Sequence, residues 1–245
     1  MKLVISMLMA IVALNFSYAQ DMNFPEKVKV EPLLFFELTM PFVIPQQEFD
    51  KNMNDNGLGF GGAFLVQPKD LPLKFGLNAD YIFYDNERVR VEDQIGSFTR
   101  KFDIRTRTNS FLTHAIVRYQ PNLDFFIQPF IEANVGFHAL TTNTRLSDTN
   151  RNDSSNNTEA WNRENFDGGL SYGGVVGLNI RLSEKEGIFL NLQCAYYRRS
   201  AGDYYVRNEN AVVTDNPLDA FELRRSEVDL LMPKIGVSFL VQDCE

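Results

Sequence analysis

The chain has 245 residues, of which 44% are hydrophobic by a broad count and 23% are charged, with 21 Phe and 9 Tyr. This composition is too aromatic and too apolar for a disordered chain. The formal charge is −8, from 24 Lys and Arg against 32 Asp and Glu, and no basic stripe is present, so nucleic acid is not an expected partner. Two cysteines in a chain of this length exclude a fold built on disulfides.

The N-terminus has the pattern of a secretory signal peptide. Lys2 provides a positive start, an apolar run covers 3–16, and Ser17 and Ala19 place small residues before a cleavage site. We therefore expect a signal peptide at 1–19 and a mature domain at 20–245. The alternative is a membrane-anchoring helix, but the run is shorter than the ~20 residues that a span needs.

The mature chain is dominated by segments that alternate with period two. In 125–138 the odd positions are apolar from Phe125 to Phe137, whereas the even positions are polar or small. Successive side chains of a strand point to opposite faces, so this alternation predicts a β-strand. The same pattern predicts eight strands in all, at 34–42, 58–66, 75–83, 111–119, 125–138, 170–182, 188–197 and 231–241.

The predicted connections alternate between short and long. Short turns are expected at 68–72, 121–124 and 183–187, and long polar connections at 45–56, 85–105, 141–167 and 200–225. This arrangement predicts an all-β fold, an eight-stranded antiparallel up-and-down transmembrane barrel with long extracellular loops and both termini at the short-turn end. Alternation within 88–91, 102–105 and 204–207 predicts that some hairpins rise above the membrane.

The two faces of the predicted strands distinguish a membrane barrel from a soluble, lipocalin-like barrel. One face carries large apolar residues and the other carries small and polar residues, and an eight-stranded barrel has interior space only for side chains. We therefore expect the large apolar face to meet lipid. Aromatic residues near the ends of this face predict two interfacial girdles, formed by Tyr81, Phe83, Tyr119, Phe125, Phe137, Tyr172, Tyr196 and Phe239.

Charged residues on the opposite face predict a polar lumen. Buried charges must be paired or reach water, so these side chains are interpreted as an ion-pair network that plugs the barrel. The alternative is a selectivity filter in a narrow pore. The set comprises three acids and three bases, Glu37, Asp80, Glu132, Arg118, Arg181 and Lys234.

Chemistry beyond this network has little support in the sequence. A lipid-modifying enzyme would need a histidine beside a serine or an acid, and His114 and His138 have no such neighbours along the chain. Two histidines do not suggest a metal site, and no cofactor is expected. Cys194 and Cys244 are predicted to lie apart and unpaired. The polar stretch 141–165 is interpreted as a mobile surface loop, with Trp161 as the candidate for contact with a ligand or partner.

Three prolines fall inside predicted strands. Each proline removes a donor from the strand ladder, so we expect bulges or strand ends at Pro41, Pro129 and Pro233.

The signal peptide, the eight strands, the short and long connections and the C-terminal strand 233–241 together resemble the OmpA-like and PorT-like outer-membrane β-barrels of Gram-negative bacteria. The resemblance implies location in the outer membrane, contact with lipid and lipopolysaccharide, and a non-enzymatic role in envelope structure or in binding an envelope protein. A role as a secretion accessory falls within this expectation. The alternatives are a narrow porin-like channel and a lipid-modifying enzyme. The chain departs from the family pattern at its end, where Glu245 replaces the usual aromatic residue.

Overall fold

The computed structural model describes residues 32–53, 56–69, 71–95, 98–121, 125–148, 159–183, 187–207 and 221–241. The predicted signal peptide and Cys244 lie outside these ranges. The described elements are nine, β1 (Leu33–Gln46), α1 (Gln47–Met53), β2 (Gly57–Gln67), β3 (Leu73–Ile95), β4 (Phe98–Tyr119), β5 (Ile127–Asp148), β6 (Glu159–Ser183), β7 (Ile188–Arg207) and β8 (Phe221–Val241).

The eight strands form a closed barrel in which each strand pairs with its neighbour in the sequence and β1 pairs with β8. All of these pairs are antiparallel, and Leu34 at the start of β1 lies opposite Val241 at the end of β8. The first strand therefore begins, and the last strand ends, at the short-turn side. The predicted fold class, strand number and strand order are confirmed.

The long connections contain strands, as the alternation within 88–91, 102–105 and 204–207 predicted, together with structure that the sequence did not predict. β3 and β4 extend to Ile95 and Phe98, so most of the predicted loop 85–105 is a tall hairpin. The interpretation of 141–165 as a mobile loop is wrong for its two ends, because β5 continues to Asp148 and β6 begins at Glu159. The predicted loop 45–56 contains the helix α1, which follows β1 directly through Gln47 at a φ of 58°.

The expectation of bulges or strand ends at the in-strand prolines is wrong for Pro41 and Pro233, whereas Pro129 lies close to the start of β5. Pro41 lies opposite Lys234 and Pro233 lies opposite Cys194, and the registers on either side of both prolines are the same. Pro129 is the third residue of β5 and lies in register opposite Leu178. Each proline removes one backbone N–H donor from the ladder without shifting the strand register. The neighbouring side chains therefore stay on their own faces, toward lipid or toward the lumen. The register shifts occur elsewhere, between Phe83 and Asn86, Leu146 and Ser147, Arg181 and Ser183, and Arg199 and Gly202.

The barrel has an apolar outer surface and a mixed, mostly polar interior. In β1, for example, Leu38 and Met40 are more than half exposed, whereas Glu37 and Thr39 are buried. On β5 the outward positions are apolar from Ile127 to Phe137, an 11-residue stretch that matches the 9–11 residues of a membrane-spanning strand. A continuous belt of exposed large apolar side chains would be unstable in water and is stable in lipid. The barrel therefore spans a membrane.

Within the described residues, no helix is both long and apolar enough to cross a membrane.

Above the membrane belt, at the loop end, the barrel wall is incomplete. β1 ends at Gln46, opposite Asp229, and β2 begins at Gly57, opposite Tyr84. In the described part of the chain, residues 86–95 of β3 therefore pair only with β4, and residues 221–228 of β8 pair only with β7. We call the gap between these two free edges the notch.

A second discontinuity lies between β6 and β7. Their ladder ends at the pair Ser171 and Arg199, although both strands continue above it. Side chains bridge this seam, because the Asp167 carboxylate accepts hydrogen bonds from the Asp203 backbone N–H (2.9 Å) and from Arg199. The Asn165 amide donates to the Asp203 carbonyl (3.2 Å). The seam is thus closed by side chains in place of backbone pairs.

Candidate functional site: the barrel lumen

The inward face of the strands creates a charged centre in the lumen. Arg118 on β4 is 1% exposed and lies between two carboxylates. Its Nε donates to Glu132 Oε2 at 2.7 Å, and its Nη1 and Nη2 donate to Glu37 Oε1 and Oε2 at 2.6 and 2.9 Å. The guanidinium also lies over the Phe130 ring, with Cζ 4.1 Å from the centroid. One arginine therefore links β1 and β5 across the lumen through charge-assisted, partly bidentate hydrogen bonds.

A second ion pair lies nearby. Lys234 Nζ on β8 donates to Asp80 Oδ2 on β3 at 2.6 Å, and both side chains are at most 3% exposed. Asn78 donates to the same carboxylate oxygen at 3.4 Å. Lys74, which the sequence analysis missed, is also buried, with Nζ 3.4 Å from the centroid of the Phe35 ring. The alternation of β3 could have placed Lys74 in the lumen, because Lys74 lies on the same inward face as Asn78 and Asp80.

Amide side chains extend the network toward the turn end. Asn191 Nδ2 donates to Glu37 Oε1 (3.4 Å) and to Asn179 Oδ1 (2.8 Å), and Asn179 in turn donates to Gln120 Oε1 (3.2 Å). Gln120 donates to Gln128 Oε1 at 2.7 Å. These amides supply the extra hydrogen bonds that buried carboxylates require. The predicted lumen residues Glu37, Asp80, Arg118, Glu132 and Lys234 thus lie together in two paired groups.

Arg181, the sixth residue of the predicted network, differs from the other five because it is not fully buried. It is half-buried at the turn end of β6, and its backbone N–H donates to the Phe126 carbonyl at 2.8 Å.

Apolar layers lie above and below the charged centre. Toward the turn end, Phe35, Leu65 and Ile116 form a buried cluster, with Phe189 and Leu240 packed against it. Toward the loop end, α1 inserts Phe49, which is 0% exposed, edge-on to Tyr84 and Tyr204 at centroid distances of 6.2 and 5.2 Å. This helix gives no periodic signal in the sequence, because only Phe49 and Met53 of its seven residues are apolar.

A cavity lies between these layers, lined by the carboxylates of Glu37, Asp80 and Glu132 and by Arg118 and Lys234. Its volume is about 10 Å³, at the lower limit for one water molecule. The lumen at this level has no room for a hydrated ion.

Both histidines face the lumen and contact serines from neighbouring strands. His114 Nε2 lies 3.1 Å from Ser171 Oγ, and its ring stacks on Tyr197 with centroids 4.6 Å apart. His138 Nε2 hydrogen-bonds Ser110 Oγ. A hydrolytic site would need an oriented imidazole that substrate can reach, yet both histidines and both serines are buried and His114 Nδ1 has no hydrogen-bond partner. In the described residues, no group of three His, Cys, Asp or Glu side chains is placed to hold a metal ion.

Trp161, Cys194 and the aromatic residues predicted to form girdles lie within the described ranges. Trp161 belongs to β6, opposite Leu146 of β5, and its side chain lies outside the described part. Cys194 is exposed on the lipid face as a free thiol. Tyr81 and Phe239 are half-buried, and the other residues of the predicted aromatic girdles are exposed on the same surface, namely Phe83, Tyr119, Phe125, Phe137, Tyr172 and Tyr196.

No protein-family model matches the chain, and no curated protein matches it. Solved structures with a similar arrangement include the outer membrane protein OprG from Pseudomonas aeruginosa, at 15% identity and a TM-score of 0.43 over 87% of this chain and 97% of that chain. They also include a major outer membrane protein from Thermus thermophilus, at 11% identity and a TM-score of 0.43 over 85% and 99% of the two chains. Neisserial surface protein A is similar at 11% identity and a TM-score of 0.40, over 85% and 97%.

The predicted resemblance to small outer-membrane barrels is confirmed at the level of architecture by the strand number, the strand order and the apolar belt of this chain. A closed barrel satisfies every backbone hydrogen bond within the lipid without a sheet edge. The chain is an eight-stranded, up-and-down transmembrane β-barrel.

Proposed function

We propose that this protein is a closed, non-conducting barrel that anchors tall hairpins at the cell surface, where they serve envelope structure or bind an envelope partner. A secretion-accessory role is one form of this function. The observation that carries the proposal is the Arg118 bridge between Glu37 and Glu132, which fills the lumen between two apolar layers.

An ion crossing the barrel would have to pass all three layers. It would first displace Phe49 from its contacts with Tyr84 and Tyr204, and then separate Arg118 from a carboxylate in a cavity of about 10 Å³. Breaking a buried ion pair costs about 3–5 kcal/mol, before any cost of opening the apolar layers is added. These barriers support a plugged lumen over the narrow channel that was the alternative.

Single-channel recording in a planar bilayer tests the proposal. The refolded mature protein, shown to be folded by its heat-modifiable gel mobility, is expected to give no discrete openings. The matched control is Glu227→Gln, because Glu227 is exposed on the outside of the barrel and this change leaves the lumen charges in place. Steady openings in the wild-type protein that change with Glu132→Gln would contradict the plugged lumen and assign the charges to a selectivity filter.

Photocrosslinking tests the second half of the proposal. A photoreactive side chain at Leu223, which is 54% exposed above the belt, is expected to capture an envelope protein in living cells. The same group at Val176, 60% exposed to lipid, is the control and is expected to capture lipid only. Equal yields of protein adducts at the two positions would argue against a specific surface at the loop end.

A further inference from the structure

The notch has two free strand edges that face each other across a fixed base. At that base, β3 and β8 are separated by the two strand positions that β1 and β2 occupy below. Neighbouring strands lie ~4.8 Å apart, so three spacings give a width of ~14 Å. The free segment of β3 covers 86–95 and the free segment of β8 covers 221–228, so the two edges have similar lengths.

The directions of β3 and β8 determine which way an added strand must run to pair antiparallel with each edge. β3 runs from the turn end to the loop end, and β8 runs the opposite way. A chain that descends beside β3, turns at the base of the notch and ascends beside β8 is antiparallel to both edges. Two strands joined by a tight turn also fill the two positions above β1 and β2 that no described strand occupies, beside α1, which packs against β1 and β8.

We propose that the notch binds a β-hairpin of a partner protein, inserted turn first, which adds one strand to β3 and one to β8. This inference rests on the proposed role of the loop end in partner binding and specifies how the partner binds. Unpaired backbone groups at a strand edge are a template for such strand addition.

Side chains on β8 define the chemistry of the inserted strand. Arg225 is 71% exposed, and its only described ion pair, with Asp203, is long at 3.8 Å, so its charge is open to a further partner. By contrast, Arg224 is paired with Glu222, and Glu227 is paired with Arg198. Leu223 lies two residues from Arg225 on the same outward face and is 54% exposed. The strand beside β8 is therefore expected to place an acidic residue opposite Arg225 and an apolar residue opposite Leu223.

The seam between β6 and β7 does not offer the same site. These strands are direct neighbours below the seam, and Asp167 and Asn165 already satisfy the backbone of Asp203 across it. No strand position is vacant there. The charges on the β8 edge also disfavour pairing with unmatched strands, which gives the notch selectivity.

Peptide binding to the full mature barrel in lipid nanodiscs tests the inference. The probe is a synthetic hairpin closed by Asn-Gly, with Glu opposite Arg225 and Leu opposite Leu223. Its control carries Lys in place of that Glu. Anisotropy titrations are expected to show about tenfold tighter binding of the Glu hairpin, and the Arg225→Glu barrel is expected to reverse the order. The absence of saturable binding, or equal binding of both hairpins, would overturn the inference.

Amide hydrogen exchange locates the bound strand on the same sample. The notch-facing amides within 86–95 and 221–228 are expected to exchange rapidly in the free barrel and about tenfold more slowly with the Glu hairpin bound. The amides of β6 along the seam are the internal control and are expected not to change. If exchange at these amides slows when the barrel self-associates without peptide, the notch binds a second copy of the barrel. That result would overturn the proposal that it binds a partner's hairpin. A negative result in the peptide titration or in the exchange experiment would not affect the bilayer test of the plugged lumen.

Discussion

Removing Arg118 is expected to destabilise the barrel more than any other single change in the lumen. Arg118→Met keeps much of the side-chain volume but leaves Glu37 and Glu132 without their shared cation. Glu37 keeps one described amide contact, from Asn191 at 3.4 Å, and Glu132 keeps one from Asn134 at 3.0 Å. Neither amide neutralises a charge, and the remaining cations that act on the two carboxylates are Lys74 for Glu37 and Lys234 for Glu132. Neither lysine replaces the direct hydrogen bonds of the guanidinium, so each carboxylate is expected to gain a proton or water.

The magnitude follows from the burial of this group. Breaking a buried ion pair by removing one partner costs about 3–5 kcal/mol, and Arg118 serves two carboxylates that are each at most 2% exposed in their side chains. We expect a loss of about 4 kcal/mol in the free energy of unfolding. The triple variant Glu37→Gln, Arg118→Met, Glu132→Gln removes all three charges and is expected to recover most of this loss, because no unpaired ion remains.

Urea unfolding of the refolded barrel in lipid, followed by tyrosine fluorescence and gel mobility, measures these differences. Glu227→Gln on the outer surface provides the matched control, because exposed pairs contribute about 0–1 kcal/mol and Arg198 keeps its contact with Asp229 at 3.6 Å. A loss below about 1 kcal/mol in Arg118→Met would refute the reasoning, since it would mean that water reaches the carboxylates and that the lumen is not sealed.

Three further changes test the cap, the packing and the membrane face, each by the same unfolding assay. Phe49→Ala is expected to cost about 3–5 kcal/mol, because a fully buried ring is lost from the cap; a cost below about 1 kcal/mol would show that α1 does not close the lumen. Gly136→Ala is expected to cost about 1–3 kcal/mol, since its Cβ would lie 2.0 Å from the Thr113 carbonyl oxygen, whereas Gly174→Ala, with its nearest atom at 3.6 Å, is expected to be tolerated. Val176→Arg is expected to cost about 2–4 kcal/mol in the lipid belt, and Leu223→Arg less than about 1 kcal/mol; equal costs would place the belt wrongly.

The strands and their faces were predictable from the sequence because a closed barrel with one apolar side imposes a strict period of two. Glu37, Arg118 and Lys234 could be placed in the lumen on parity alone. Their partners could not, because the pairing of Arg118 with Glu37 depends on the tilt of strands that are far apart in the sequence. The buried amides and Lys74 shared the same parity and were available to the same reasoning.

The helical cap, the regular pairing at two prolines and one histidine contact were not predictable, each for a different reason. The position of α1 depends on tertiary contacts of Phe49, and a seven-residue helix carries little local signal. The prediction was wrong at Pro41 and Pro233 because a proline costs a strand only one donor, and a closed barrel holds its register through the neighbouring pairs. The contact between His138 and Ser110 also required the register between β4 and β5, which periodicity does not provide.

The closure of the barrel through β1 and β8 has a consequence for how the protein folds. Leu34 pairs with Val241, so the final seam joins the first and the last of the eight strands. Hairpins between consecutive strands can form early because their loops are short, whereas this closing pair has the largest loop entropy in the molecule. Until β8 is in place the ring cannot close, and an unfinished barrel exposes the edges of β1 and β7. Closure therefore requires all eight strands and is expected to be the last step of folding.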